Sequence, residues 1–180
     1  MKEGQKLPSV NFQVRVRDES IGGDNPFRWQ TFSTEDYFSN KRVVVFSLPG
    51  AYTPTCSTYQ LPGFEDNYWT IRKDLGKDVD EIYVMSVNDT FVMRKWLIDQ
   101  HVKNVKFIPD GNGEFTDAMG MLIDMTAVGF GNRSRRYAFV ADNGVIEKMF
   151  VEPEATEDNP DPYGETSPEN VMKYLTSVLD

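Results

Sequence analysis

Two apolar runs set the terms for this chain. The first, KRVVVFSLPG, places β-branched and aromatic residues from Val43 to Leu48 directly before the turn Pro49-Gly50, the pattern of a strand buried on both faces. The second, EIYVMSV from Glu81 to Val87, ends at Asn88 and Asp89, both good helix N-caps. The segment after it, FVMRKWLIDQH, carries Phe91, Val92, Trp96 and Leu97 at helical spacing and supplies a crossover. Strand, helix, strand, helix implies an α/β sheet with parallel pairing.

VKFIP reads as a further short strand, followed by the turn DGNG and a helix around Phe115 to Leu122. RRYAFVADNGVIEKMFVE then gives two apolar runs around Asp142, Asn143 and Gly144, a strong hairpin signal. A last helix is expected from Pro168 to Leu179, with Pro168 at its first position after Ser167. A parallel β-α-β unit followed by an antiparallel hairpin and a terminal helix is the skeleton of a thioredoxin-like fold, a central mixed β-sheet flanked by helices. A flavodoxin-like sheet is the alternative. With 180 residues and no internal repeat, residues 1–180 are expected to form one domain.

Charge and composition exclude several functions. The net charge of −9 argues against nucleic acid and anionic membrane surfaces as partners. The single Cys56 and single His101 leave too few ligands for a Cys/His zinc site, so no metal is expected. The N-terminus lacks the apolar core of a secretory signal, and a lone thiol suits a reducing, cytoplasmic setting. The stretch from Glu152 to Glu169 holds seven acidic residues, four prolines and no Lys or Arg, and reads as a solvated connector. Asp110-Gly111-Asn112-Gly113-Glu114 opens like a calcium loop but lacks glycine at the sixth position and glutamate at the twelfth, so it is a turn. Gly129-Phe130-Gly131 lacks the third glycine of a dinucleotide fingerprint. His101, near a helix end, is expected to serve that end or the surface.

The chemistry concentrates at Cys56. The segment Leu48 to Ser57 leaves a central strand through a loop punctuated by Pro49 and Pro54, and enters a helix with Cys56 in its first turn. Backbone amides and the helix dipole there favour a thiolate over a thiol. A buried inert thiol is the competing reading, but α/β proteins place their sites in loops at the carboxyl ends of strands. Thr53, three residues earlier, either turns its hydroxyl to the same space or caps the helix. Three arginines, Arg133, Arg135 and Arg136, crowd the entry to a strand in an acidic protein. Either they pair with surface carboxylates, as expected for Arg135, or one guanidinium reaches the thiolate and holds an oxygen-rich substrate.

PGAYTPTC matches the P-x-x-x-T-x-x-C signature of peroxiredoxins, and its wording is similar to the type 5 subfamily. LPGF, SVND, FIPDGNGEF and GFGNRSRRY extend the resemblance along nearly the whole chain. It resembles most the peroxiredoxin half of bacterial peroxiredoxin-glutaredoxin fusions, here without the C-x-x-C glutaredoxin module. The resemblance puts the peroxidatic cysteine on Cys56, the family's threonine on Thr53, its proline on Pro49 and its arginine on Arg133. Where many type 5 members carry histidine four positions after the cysteine, this chain has Gln60, which can hydrogen-bond to substrate but cannot titrate.

The implied function is reduction of hydrogen peroxide and organic hydroperoxides through a sulfenic acid at Cys56. With one cysteine the resolving thiol must come from outside, and the resemblance to the glutaredoxin fusions implies glutathione and glutaredoxin as reductants, no bound cofactor, and a homodimer. The other readings are a redox sensor or relay that uses Cys56 oxidation to control a partner through the acidic segment, and a binding module with an inert thiol.

Overall fold

The computed structural model describes residues 1–177. The chain opens with an antiparallel ribbon of β1 (Asn11–Arg17) and β2 (Phe27–Ser33), and α1 (Thr34–Phe38) follows under a capping box made by Ser33 and Asp36. The central strand is β3 (Arg42–Ser47). A helical run then carries a π-helical turn (Cys56–Gln60), α2 (Leu61–Asp66) and a second π-helical turn (Thr70–Asp74) to β4 (Glu81–Ser86), which lies parallel to β3. Next come α3 (Thr90–Asp99) and β5 (Lys106–Pro109), the latter parallel to β4.

Beyond β5 lies α4 (Glu114–Ala118), and a small ribbon of β6 (Leu122–Asp124) and β7 (Asn132–Ser134) leads to the hairpin of β8 (Tyr137–Asp142) and β9 (Val145–Val151). The five-stranded sheet has the order β5-β4-β3-β8-β9, with β8 antiparallel to β3. That antiparallel neighbour excludes the all-parallel alternative. The hairpin turns at Asn143 and Gly144, whose φ of 48° and 75° are the left-handed pair a two-residue turn of this hand demands.

Period-two alternation along β3 feeds two cores. Val44 and Phe46 face the layer that contains Cys56, Leu61, Phe64, Trp96, Val171 and Leu175, and Phe46 stacks on Phe64 with ring centroids 4.1 Å apart. Val43 and Val45 face the opposite layer of Phe12, Tyr37, Phe38, Phe115 and Met119. The sheet is thereby covered on both sides, which explains the unbroken apolar runs of β3 and β4.

Two expectations need correcting. The helix expected over Phe115 to Leu122 ends at Ala118, because Gly120 takes a φ of 73° and Leu122 begins β6. In α3 the buried side chains are Thr90, Met93, Trp96 and Leu97, whereas Phe91 is exposed and packs edge-on against Trp29. The final helix, α5 (Pro168–Ser177), begins at Pro168 as expected, and Leu179 lies outside the described residues. Asp89 caps α3 by accepting the Val92 N–H at 2.9 Å. The DGNG segment is a turn, closed by the buried Asp110 carboxylate, which accepts from the amides of Phe115 and Thr116 and from the Thr116 hydroxyl. Among the described residues no helix is long and apolar enough to cross a membrane.

Candidate active site

The site forms where β3 ends. Pro49 and Gly50 leave the strand, Tyr52 takes a left-handed φ of 66°, and the Thr53 carbonyl accepts the Ser57 N–H at 3.0 Å to open the helical run. Cys56 lies in the first turn, as expected, and is fully buried against the core. The turn is wound wide: the Leu61 N–H donates to the Cys56 carbonyl, five residues back. The Thr53 hydroxyl donates to the Gly50 carbonyl at 2.8 Å, so it ties the loop rather than capping the helix, and its lone pairs remain to accept.

The cation comes from β8. Ser47 at the end of β3 is registered with Tyr137 at the start of β8, so the residue preceding Tyr137 lies beside the exit of β3. That residue is Arg136. Its Nη1 stands 3.2 Å from the Cys56 Sγ and donates to Gln60 Oε1 at 2.6 Å, while Nη2 meets the Asp161 carboxylate at 2.7 Å. The side chain is 3% exposed. Burial alone pushes the guanidinium down, but the Cys56 thiolate and then Asp161 outweigh it and hold Arg136 above its ordinary value. Its Nε is buried without a partner, and the Tyr163 ring lies 6.0 Å from the guanidinium carbon.

The arginine assigned by resemblance is therefore corrected: Arg136, not Arg133, stands at the sulfur. Arg133 belongs to the β6-β7 ribbon, paired opposite Ile123, and donates from Nη1 to the Pro49 carbonyl at 3.2 Å and from Nε to the Phe130 carbonyl at 3.1 Å. It braces the loop. A β-carbon at Gly50 would meet Arg133 Nη1, so a larger residue there would push the arginine tip off the Pro49 carbonyl. Arg135, expected among surface carboxylates, donates instead to the backbone carbonyl of Glu152.

The acidic segment is exposed from Pro153 to Asp161, as expected of a connector, but it is tied into the site at its ends. Glu152 is buried, and its carboxylate accepts from the amides of Gly164, Glu165 and Thr166 and from the Thr166 hydroxyl. The Thr166 Oγ1 in turn accepts from Gln60 Nε2 at 3.2 Å. One chain of contacts thus runs from Cys56 through Arg136, Gln60 and Thr166 to Glu152, and the segment between Glu152 and Thr166 straps the site. Gln60, placed near substrate by the sequence reading, is fully buried and holds the cation. A cavity of about 290 Å³ lies against Pro49, Met125, Arg136, Pro153, Pro160 and Asp161. His101, two residues beyond α3, takes a φ of 55° and is exposed.

Sequence reasoning held Arg136 only as one of three candidate arginines, and missed Glu152, Asp161 and Thr166 as parts of the site. Only Arg136 had a local signal, its position immediately before a strand that pairs with β3.

The buried thiol and guanidinium at the end of a central strand form an arrangement suited to a nucleophile facing a polar, oxygen-rich substrate. The Redoxin family model matches residues 2–165. A peroxiredoxin of Rhizobium etli is 56% identical over 173 residues, covering 95% of this chain and 94% of that protein. The hybrid peroxiredoxin hyPrx5 of Haemophilus influenzae is 46% identical over 173 residues, covering 96% of this chain and 66% of that protein. The crystal structure of the Plasmodium falciparum antioxidant protein, a 1-Cys peroxiredoxin, superposes with a TM-score of 0.86 at 34% identity over 98% of this chain and 99% of that one. With its mixed sheet in the thioredoxin-like arrangement and its one cysteine in the first helical turn after β3, the chain belongs to the Redoxin family as a peroxiredoxin, a thiol peroxidase.

Proposed function

We propose that the protein reduces hydrogen peroxide and organic hydroperoxides in a one-cysteine cycle closed by glutathione and glutaredoxin. The observation that carries this reading is the buried Arg136 Nη1, 3.2 Å from the only cysteine sulfur of the chain. The Cys56 thiolate attacks one peroxide oxygen, a sulfur-oxygen bond forms, and the O–O bond breaks with its electron pair on the departing oxygen. That oxygen takes a proton and leaves as water or an alcohol. Sulfur is oxidised to the sulfenic acid while the peroxide is reduced.

Negative charge spreads along the S–O–O axis during the attack, and a fixed cation beside the sulfur stabilises it without reorganising. Thr53 donates to the Gly50 carbonyl and can accept a peroxide hydrogen; Pro49 walls the cavity next to Arg136. A glutathione thiol then displaces the sulfenic oxygen as water and leaves a mixed disulfide on Cys56. A second thiolate, from glutaredoxin or another glutathione, attacks the glutathione sulfur and returns Cys56 as thiolate. The lone cysteine supports an external resolving thiol, and no bound cofactor is needed. The exposed aromatics Tyr52, Tyr59 and Phe130 support a homodimer contact.

Turnover assays with hydrogen peroxide decide the reading. Consumption is expected with glutathione and glutaredoxin, and none with Cys56→Ser. Equal turnover with thioredoxin alone, glutathione absent, overturns the reductant; full activity of Cys56→Ser overturns the mechanism.

A further inference from the structure

Asp161 does something the peroxidase reading does not require of it. The strap is anchored by Glu152, whose carboxylate gathers Gly164, Glu165 and Thr166, so the segment has its tether without Asp161. Asp161 instead spends its carboxylate on Arg136 Nη2 at 2.7 Å, and it is 46% exposed where its partner is 3% exposed. The two terminal nitrogens of one planar guanidinium are thus held from opposite sides, Nη1 by Gln60 and the sulfur, Nη2 by Asp161. A fork pinned at both prongs cannot swing about its stem.

Charge gives the contact a second effect. The groups facing Cys56 are Arg136, the residue just before β8, and the uncharged Gln60 from its own helical turn, with Asp161 from the strap directly behind the cation. Glu152 is turned to the amides of the strap, Arg133 to the Pro49 carbonyl, Arg135 to the Glu152 carbonyl, and Tyr163 lies over the guanidinium. One buried cation therefore serves two anions whenever Cys56 is ionised.

We propose that Asp161 is a positioning residue that aims the Arg136 fork at the Cys56 sulfur and, by sharing the cation, holds back ionisation of the thiol. This rests on Cys56 being the peroxide nucleophile. Removing the charge should move two observables in opposite senses: the thiolate forms more readily, yet reacts more slowly with peroxide because the fork is no longer aimed.

The test uses the full chain with Asp161→Asn and Asp161→Glu. The rate of Cys56 alkylation by iodoacetamide is followed against pH, and single-turnover oxidation by hydrogen peroxide is followed by stopped flow at a pH where both variants are fully ionised. Asp161→Asn is expected to move the alkylation midpoint down by about one pH unit and to slow limiting oxidation about tenfold, with Asp161→Glu recovering part of both. A thermal midpoint that falls while the alkylation profile stays in place shows a purely structural role and overturns the proposal, as does no change in either. If Asp161→Asn fails to fold, Asp161→Glu alone must show the same two shifts in smaller measure, and their absence overturns it. Unaltered protein that does not react with peroxide strikes the peroxidase reading; an unmoved midpoint in protein that does react strikes Asp161 alone.

Discussion

Gln60 accepts a 2.6 Å hydrogen bond from the same Arg136 nitrogen that faces the Cys56 sulfur. The two residues share one turn of helix and one cation. Gln60→Glu would put a second anion on that nitrogen, competing with the thiolate for it. The pH profile of Cys56 alkylation should move up by about one to two units. Gln60→Leu, which removes the acceptor and adds no charge, should leave that midpoint in place within about half a unit and slow peroxide reduction through a loosened guanidinium.

Arg136 and Arg133 separate cleanly by experiment. Arg136→Ala removes the only guanidinium in contact with the sulfur among the described residues and should lower the second-order rate with hydrogen peroxide by about 10²–10³-fold. Arg133→Ala removes a brace on the Pro49 and Phe130 carbonyls and should cost about tenfold or less. Stopped-flow oxidation of the two variants gives the ratio directly; equal losses would return Arg133 to the reacting atoms.

Glu152→Ala deletes one buried carboxylate and leaves three strap amides and a hydroxyl without their acceptor. The expected loss of stability is about 2–4 kcal/mol, read from the urea midpoint. Limited proteolysis should open the chain between residues 153 and 163 first, since Glu152 is what fastens the far end of that segment.

Alkaline stability tests the buried tyrosines. Burial, helped by the Glu81 charge, pushes the Tyr83 phenol up to about 12 from its ordinary 10.0. The unfolded chain loses this proton first as pH rises. The stabilisation is therefore fully present below about pH 10 and is lost as pH climbs through about 12. Tyr37 and Tyr137 are raised by burial as well and act in the same sense. Tyr83→Phe should leave the urea midpoint near neutral pH almost unchanged and flatten its fall on the alkaline side.

The inner strands β3, β4 and β8 were legible because they are buried on both faces and read as apolar runs, and β9 because the turn pair Asn143-Gly144 announces a hairpin. The β1-β2 ribbon escaped the reading. Its alternation of Phe12, Val14 and Val16 with Arg15 and Arg17 is visible, but the cations that make it look solvated lie over Trp29 and Phe27. Cys56 was legible from local placement at a strand end. The choice among three arginines was not, because it turns on how β8 is registered against β3, a contact no local pattern encodes. Glu152 and Asp161 were hidden for a related reason: a proline-rich acidic stretch has the composition of a solvated loop whether or not tertiary partners take up its carboxylates.

The pairing of Ser47 with Tyr137 also sets an order in time. Arg136 follows Cys56 by 80 residues, and Asp161 follows Arg136 by 25 more. At a synthesis rate of about 5–20 residues per second, the cysteine emerges roughly 4 to 16 s before its guanidinium does. A growing chain therefore carries this thiol without its guanidinium, which comes to stand beside the sulfur only when β8 docks on β3.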